Sequence, residues 1–172
     1  MCRHWQDSYI WKHPGISMTP AINSAKRAGI KFHVHEYDHD PAAESYGAEA
    51  AAKLGVDSGR VFKTLVIALG NRDLAVAVLP VAAKLDLKRF AKAMGTKKAL
   101  MADKGVAERT TGYVLGGVSP VGQKKKLRTV IDVSASRFDT MYVSAGRRGL
   151  EIELSPLDLC RLTDAEFGAV SK

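Results

Sequence analysis

The sequence predicts an α+β fold in one domain, a mixed and largely antiparallel, barrel-like β-sheet with helices packed around it. Three observations predict it. Short runs with strand patterning outnumber the long crossover helices that a fully parallel sheet requires. No internal repeat or low-complexity linker divides the chain. A length of 172 residues with 46% hydrophobic content fits one real core and leaves no room for a second domain of ordinary size.

The elements follow in order. Residues 1–17, MCRHWQDSYIWKHPGIS, show neither helical nor alternating periodicity and read as an irregular extension, so the domain is expected to occupy 18–172. Thr19 as N-cap, Pro20 at the first helical position and Gly29 as the stop define a first helix. Phe32 to Tyr37 alternates like a strand, and Asp38-His39-Asp40-Pro41 turns the chain into a helix over Glu44–Leu54 that stops at Gly55. The apolar runs Val61–Leu69 and Leu74–Leu79, joined by Gly70-Asn71-Arg72-Asp73, read as a central hairpin. Asp86 caps a short basic helix, Leu87–Met94, closed by Gly95, and Asp103 caps another. Strands are expected at Arg128–Val133, Thr140–Ser144 and Leu150–Leu154. Ser155-Pro156 with Asp158 then opens a terminal helix.

Charge and cysteine usage narrow the function classes. Lys and Arg number 26 against 18 Asp and Glu, a net charge of +8, which favours a polyanionic partner, although a lysine-rich solubilising surface gives the same count. Cys2 and Cys160 lie near opposite ends without metal-ligand spacing, so a reducing cytosol is expected rather than a disulfide framework. No apolar run approaches the roughly 18 residues a bilayer span needs, and the Trp5–Trp11 stretch is too interrupted for a signal peptide; a soluble cytoplasmic protein is expected.

Lys63 is the most suggestive single residue, because it falls in phase with Val61, Leu65 and Ile67 on a strand face and so needs a partner or an escape to water. Pattern alone does not choose between a substrate-binding cation and a strand-start lysine that snorkels. The segment from Thr111 to Pro120 sets Gly116-Gly117 before Ser119-Pro120, which lets backbone N–H groups approach a ligand oxygen; it is neither a Walker loop nor a GxGxxG fingerprint, and a plain turn fits it equally. Lys124, Lys125 and Lys126 follow this loop, with Lys97 and Lys98 before it and Arg147 and Arg148 after it, so phosphate-binding candidates surround it in sequence order. His33 and His35 share one strand face, but no third ligand is spaced to complete a zinc site, and the pair reads as the polar face opposite Phe32 and Val34. No Ser sits in a nucleophile elbow and neither cysteine is placed for catalysis. An enzyme built this way would rely on orientation and carbonyl polarisation, with water or a group of the substrate attacking.

Taken in order, MTPA at 18–21, YDHDP at 37–41, VFKTLVI at 61–67, LDLKRFAKAMGTKK at 85–98, TGYVLGGVSPVGQKKK at 111–126 and SAGRRGLEIEL at 144–154 resemble the YbaK/EbsC family of aminoacyl-tRNA deacylases. The combination at these intervals is far more specific than any one motif. The resemblance implies a trans-editing factor that clears cysteine from tRNA(Pro), and by extension from tRNA(Cys), beside prolyl-tRNA synthetase and without metal or organic cofactor. It implies that Lys63 is the essential lysine, that Tyr37, Tyr46 and Thr64 line the pocket, that Gly116 and Gly117 approach the ester carbonyl, and that Ser119 assists by hydrogen bonding. Lys97, Lys98, Lys124, Lys125, Arg147 and Arg148 are the candidates for the RNA backbone.

Two positions depart from the family pattern. Ala145-Gly146 stands where the family commonly has Gly-Gly, and Glu151, in a substrate-binding position, where it often has Asp; either could reshape the pocket. Two other readings stay open: hydrolytic clearing of alanine or another small amino acid, and an inactive RNA-binding or synthetase-associated module that retains the fold.

Overall fold

The hairpin expected around Gly70–Asp73 forms the centre of the molecule. In the computed structural model, which describes Gly15 and residues 18–172, β2 (Phe62–Leu69) and β3 (Leu74–Pro80) pair antiparallel from Phe62 opposite Pro80 to Ala68 opposite Leu74. The short strand β4 (Ala99–Met101) adds antiparallel to the far end of β2, while β5 (Arg128–Asp132) and β8 (Glu166–Gly168) add in parallel beyond β3. A second, antiparallel sheet holds β1 (Phe32–Glu36), β7 (Leu150–Leu154) and β6 (Met141–Arg147) in that order. One parallel bridge, Val61 with Tyr142, joins the two sheets. The α+β class and the mixed, mainly antiparallel pairing agree with the sequence, but the sheets pass each other without closing into a barrel.

Alternation along each strand decides what the sheets bury. On one face of the hairpin Phe62, Val66, Val76 and Val78 pack toward Val143, Ile152 and Leu154 of the smaller sheet. On the opposite face Ile67, Leu79 and Ala77 pack under Phe90 and Met94 around α3 (Leu87–Ala93). Phe90 is fully buried, and truncating it to Ala would cost about 3–5 kcal/mol.

Capping fixes the helix ends. Thr19 caps α1 (Pro20–Arg27) through Ile22 N–H and also donates to the Ala145 carbonyl, tying the helix to β6. Ser45 caps α2 (Tyr46–Leu54), so this helix begins two residues later than the spacing predicts, and Gly55 ends it at φ +65°. Asp86, Asp103 and Ser155 cap α3, α4 (Lys104–Thr111) and α5 (Pro156–Thr163).

β6 runs three residues past the expected Ser144, because a bulge between Ser144 and Arg147 re-aligns it with β7. Gly146 serves that bulge at φ +107°, with the Tyr113 ring 2.7 Å from where a Cβ would sit. Ala145 is completely buried in the inter-sheet core, so its methyl group packs there rather than reshaping a binding cleft.

Candidate functional site

The start of β2, the N-terminus of α2, the loop after α4 and the β6–β7 hairpin meet around a cleft of about 340 Å3. Its walls include Lys63, Thr64, Tyr46, Gly116, Ser144 and Glu151, which brings five of the predicted site residues together. Gly47 and Val81 were not predicted. Gly47 allows α2 to lie on Val81: a Cβ at Gly47 would sit 2.1 Å from Val81 Cγ1. An isolated helical glycine carries no such message in sequence.

Lys63 is half-buried, and its Nζ donates to the Ala83 carbonyl at 2.6 Å and, more weakly, to the Val81 carbonyl at 3.4 Å. These two acceptors leave a third N–H of the ammonium, and burial lowers its pKa from the ordinary lysine value. The anchoring carbonyls lie in a loop whose side chains give no hint of the role. Thr64 Oγ1 is buried with no hydrogen-bond partner. Glu151 is only 8% exposed and its carboxyl makes no hydrogen bond or ion pair among the described residues. Burial alone pushes its pKa up to about 8, so it is mostly neutral at pH 7.

Tyr37 stands behind this wall rather than on it, packed with Ala50, Ala51 and Tyr142. Burial, followed by the charges of Glu151 and Glu49, raises its pKa to about 12, so the phenol stays protonated. Its N–H donates to the Gly149 carbonyl, fixing β1 against the β6–β7 turn.

The two glycines of the predicted loop do different work. Gly116 lines the cleft at φ +86°, and its N–H has no acceptor among the described residues. A Cβ there would lie 2.7 Å from the Tyr46 ring and 2.9 Å from Arg148 Nε. Gly117 instead donates its N–H to the Val114 carbonyl and presses on the Arg147 backbone, where a Cβ would come within 2.8 Å. Ser119 is fully buried, and its hydroxyl accepts from Val121 N–H; the structure does not bring it to the cleft.

Of the basic candidates, Arg148 stands at the mouth, stacked 4.9 Å from the Tyr46 ring centre and bonded through Nε and Nη2 to the Leu115 carbonyl. Arg147 pairs with Glu36 at 2.5 Å. Lys97 and Lys98 sit where β4 meets Leu69 and Gly70, at the end of β2 remote from Lys63, and Lys124 and Lys125 bond through their backbones to the end of α4. These four are exposed and do not line the cleft.

Among the described residues no group of histidines, cysteines or carboxylates is disposed to hold a metal ion. His33 is exposed, whereas His35 is engaged by Glu153 at 2.8 Å. Cys160 on α5 donates its thiol to the Ala165 carbonyl, and Cys2 lies outside the described residues. The hydroxyls of Ser45 and Ser144 on the cleft accept from Ala48 N–H and Gly146 N–H, so no serine there is paired with a base. No described helix is long and apolar enough to cross a membrane.

Comparison with known proteins points to one family. The model of the aminoacyl-tRNA editing domain matches residues 39–162. EbsC of Enterococcus faecalis, named as a candidate Cys-tRNA(Pro)/Cys-tRNA(Cys) deacylase, is 41% identical over 137 residues, 79% of this chain and 84% of that protein. A multifunctional Ser/Thr-tRNA deacylase of Escherichia coli is 28% identical over 124 residues, 69% of this chain and 74% of that one. The crystal structure of a candidate trans-editing enzyme for prolyl-tRNA synthetase shares the fold, with a TM-score of 0.79 at 22% identity, over 91% of this chain and 99% of the other. From the editing-domain match and the identity to EbsC, the chain belongs to the YbaK/EbsC family of aminoacyl-tRNA editing proteins.

Proposed function

We propose that this chain is an aminoacyl-tRNA deacylase acting in trans, with cysteine on tRNA(Pro) as its preferred ester. The observation that carries the reading is a cleft holding a tethered ammonium, a free backbone N–H and unpaired polar side chains, yet no nucleophile paired with a base. Such a site can bind and polarise an ester without attacking it. Lys63 and the Gly116 N–H take the ester carbonyl and terminal ribose, stabilising the oxyanion as it forms. The attacking group then comes from the substrate. The cysteine thiol adds to its own ester carbon, the bond from that carbon to the ribose oxygen breaks, and the ribose oxygen takes the thiol proton. Cysteine leaves as its four-membered cyclic thioester, which water opens in solution. The partner implied is prolyl-tRNA synthetase, the enzyme that would load the wrong residue on this tRNA.

The likeness to a protein named as a Ser/Thr-tRNA deacylase favours a second reading, in which water attacks and small amino acids without a thiol are cleared as well. Deacylation of cysteinyl-, seryl- and alanyl-tRNA(Pro) by the wild type and by Lys63→Ala decides between them. Rapid loss of cysteine alone, slowed at least about 100-fold by Lys63→Ala, supports the thiol-assisted route. Equal rates on serine or alanine establish hydrolysis. Failure on all three, with RNA binding retained, leaves a binding module.

A further inference from the structure

The two carbonyls that tether Lys63, those of Val81 and Ala83, lie in the loop of residues 81–86 between β3 and α3. Neither carbonyl belongs to a helix or a strand, so the loop's own anchors decide where they point. On one side Val81 N–H donates to the Val61 carbonyl, and a turn closes from Ala83 N–H to the Pro80 carbonyl. On the other side the loop is paired with residues 170–172. Lys84 N–H donates to the Lys172 carbonyl at 3.2 Å and receives the Lys172 N–H on its own carbonyl at 2.9 Å. Leu85 lies opposite Ser171 in an antiparallel bridge, and Asp86 N–H donates to the Val170 carbonyl at 2.8 Å.

That paired segment is held in turn by one carboxylate. Asp132, at the end of β5, is 2% exposed and does not line the cleft. Its Oδ2 accepts the N–H groups of Val170 at 3.1 Å and Ser171 at 2.9 Å, while Oδ1 accepts Ser134 N–H. Burial pushes its pKa up, but the bonds from Ser134, Ser171 and Val170 outweigh it and the carboxyl settles below its ordinary value, so it is ionised at neutral pH. Two of its three backbone donors therefore come from the segment that clamps the lysine loop.

We propose that Asp132 is a positioning residue for Lys63, acting through residues 170–172 and the loop of residues 81–86 to aim the ammonium at the ester. This rests on the deacylase reading above. An ammonium on a flexible four-carbon stem is a poorly placed point charge unless its acceptors are fixed. Two of its N–H groups held by fixed carbonyls leave the third pointing one way. A misplacement of about 1 Å at a reacting centre lowers the rate about 100-fold, so a contact remote from the cleft can govern the reaction.

The test is a double-mutant cycle on single-turnover deacylation of cysteinyl-tRNA(Pro), run well below the melting temperature of each variant. Asp132→Asn keeps the shape and removes the charge, and Ser171→Pro removes one donor from Oδ2 while leaving Asp132 in place. Ser171 occupies the non-hydrogen-bonded position opposite Leu85, so the proline takes no bond from the pairing with the loop. Each change is expected to slow the wild-type rate about tenfold or more and to alter the rate of Lys63→Ala by less than about twofold. A structural role that does not pass through Lys63 slows both backgrounds by the same factor, and that result overturns the assignment. A second readout needs no substrate. In protein carrying isotope-labelled lysine, the tethered Lys63 ammonium, identified by its loss in Lys63→Ala, should give a nuclear magnetic resonance signal that shifts or vanishes in both variants. A signal unmoved by either change, in an active enzyme, overturns the inference and leaves the deacylase intact. A wild type that cleaves no ester overturns the deacylase reading and this inference with it.

Discussion

Replacing Glu151 by Gln should make the protein more stable at alkaline pH, and the size of the effect follows from burial. A carboxyl with a pKa near 8 in the fold and near 4.5 in the unfolded chain favours folding by its neutral form. Its contribution is complete below pH 4.5 and is lost as pH rises through 8, because over that interval the folded state holds a proton that the unfolded state has released. Three and a half pH units at 1.36 kcal/mol each give roughly 5 kcal/mol, of which about 4 falls between pH 5 and pH 9. Glu49 and Glu153 have lowered pKa values, so their titration lies below this window and cancels in the comparison. Urea denaturation followed by circular dichroism at pH 5 and pH 9 measures the effect. The wild type should lose about 3–4 kcal/mol more than Glu151→Gln across the interval. A difference below about 1 kcal/mol would refute the reasoning, because it would mean that the carboxyl finds water or a cation in the folded protein rather than standing buried and unpaired.

Other positions separate chemistry from scaffold. Gly116→Ala places a methyl group against the Tyr46 ring and Arg148 at a left-handed φ, so kcat/KM should fall about tenfold or more with a loss of about 1–2 kcal/mol in stability, read by deacylation and thermal melting. Ser119→Ala leaves the buried Val121 N–H without its acceptor and should cost about 1–2 kcal/mol while kcat/KM stays within twofold; a large fall in kcat with an unchanged melting temperature would instead return Ser119 to the reaction. Gly122→Ala is purely structural, since its Cβ would meet the Pro20 carbonyl oxygen at 2.5 Å at φ +70°, and about 2–4 kcal/mol should be lost with little change in activity per folded molecule. Lys97→Glu with Lys98→Glu, about 20 Å from Lys63 along β2, should raise KM at low salt, leave kcat alone and lose its effect at high salt; a fall in kcat would exclude a remote phosphate surface there.

Much of the architecture was legible because it depends on local rules. Four of the five helix caps, Thr19, Asp86, Asp103 and Ser155, the Gly70–Asp73 turn and the alternation of Val76 and Val78 against Ala75, Ala77 and Leu79 are each written within a few residues, whereas the Ser45 cap of α2 was not read. β4 and β8 escaped notice because three residues, Ala-Leu-Met or Glu-Phe-Gly, are too short to show a period, and both owe their strand state to an edge already formed by β2 or β5. On the cleft, Lys63 was singled out by its phase on a strand, which left its role open, and the carbonyls that hold it were not read, since backbone groups have no sequence signature. Ser119 misled for the opposite reason. A serine beside paired glycines suits a ligand loop and a buried turn equally, and only packing shows that its hydroxyl serves Val121. Lys97 and Lys98 are near the loop in chain order and far from it in space, because β4 docks on the remote end of β2.

Two glutamates on one strand show how the small sheet divides its labour. Glu151 and Glu153 are two residues apart on β7 and therefore face the same way, and both are substantially removed from water. Burial pushes the Glu153 pKa up, but the Thr140 hydroxyl, His35 and the Tyr142 hydroxyl together outweigh it, and the carboxyl settles below its ordinary value. Arg60 adds a contact at 3.4 Å from across the sheet junction. Glu151 has the same chemistry and none of these partners, and its pKa moves the other way. The contrast comes from neighbours rather than from strand, face or residue type. At Glu153 the fold has supplied partners, and the result is a fastened seam between β1, β6 and β7. Two residues away, on the wall of a cleft, it has supplied none, and burial alone sets the carboxyl's pKa.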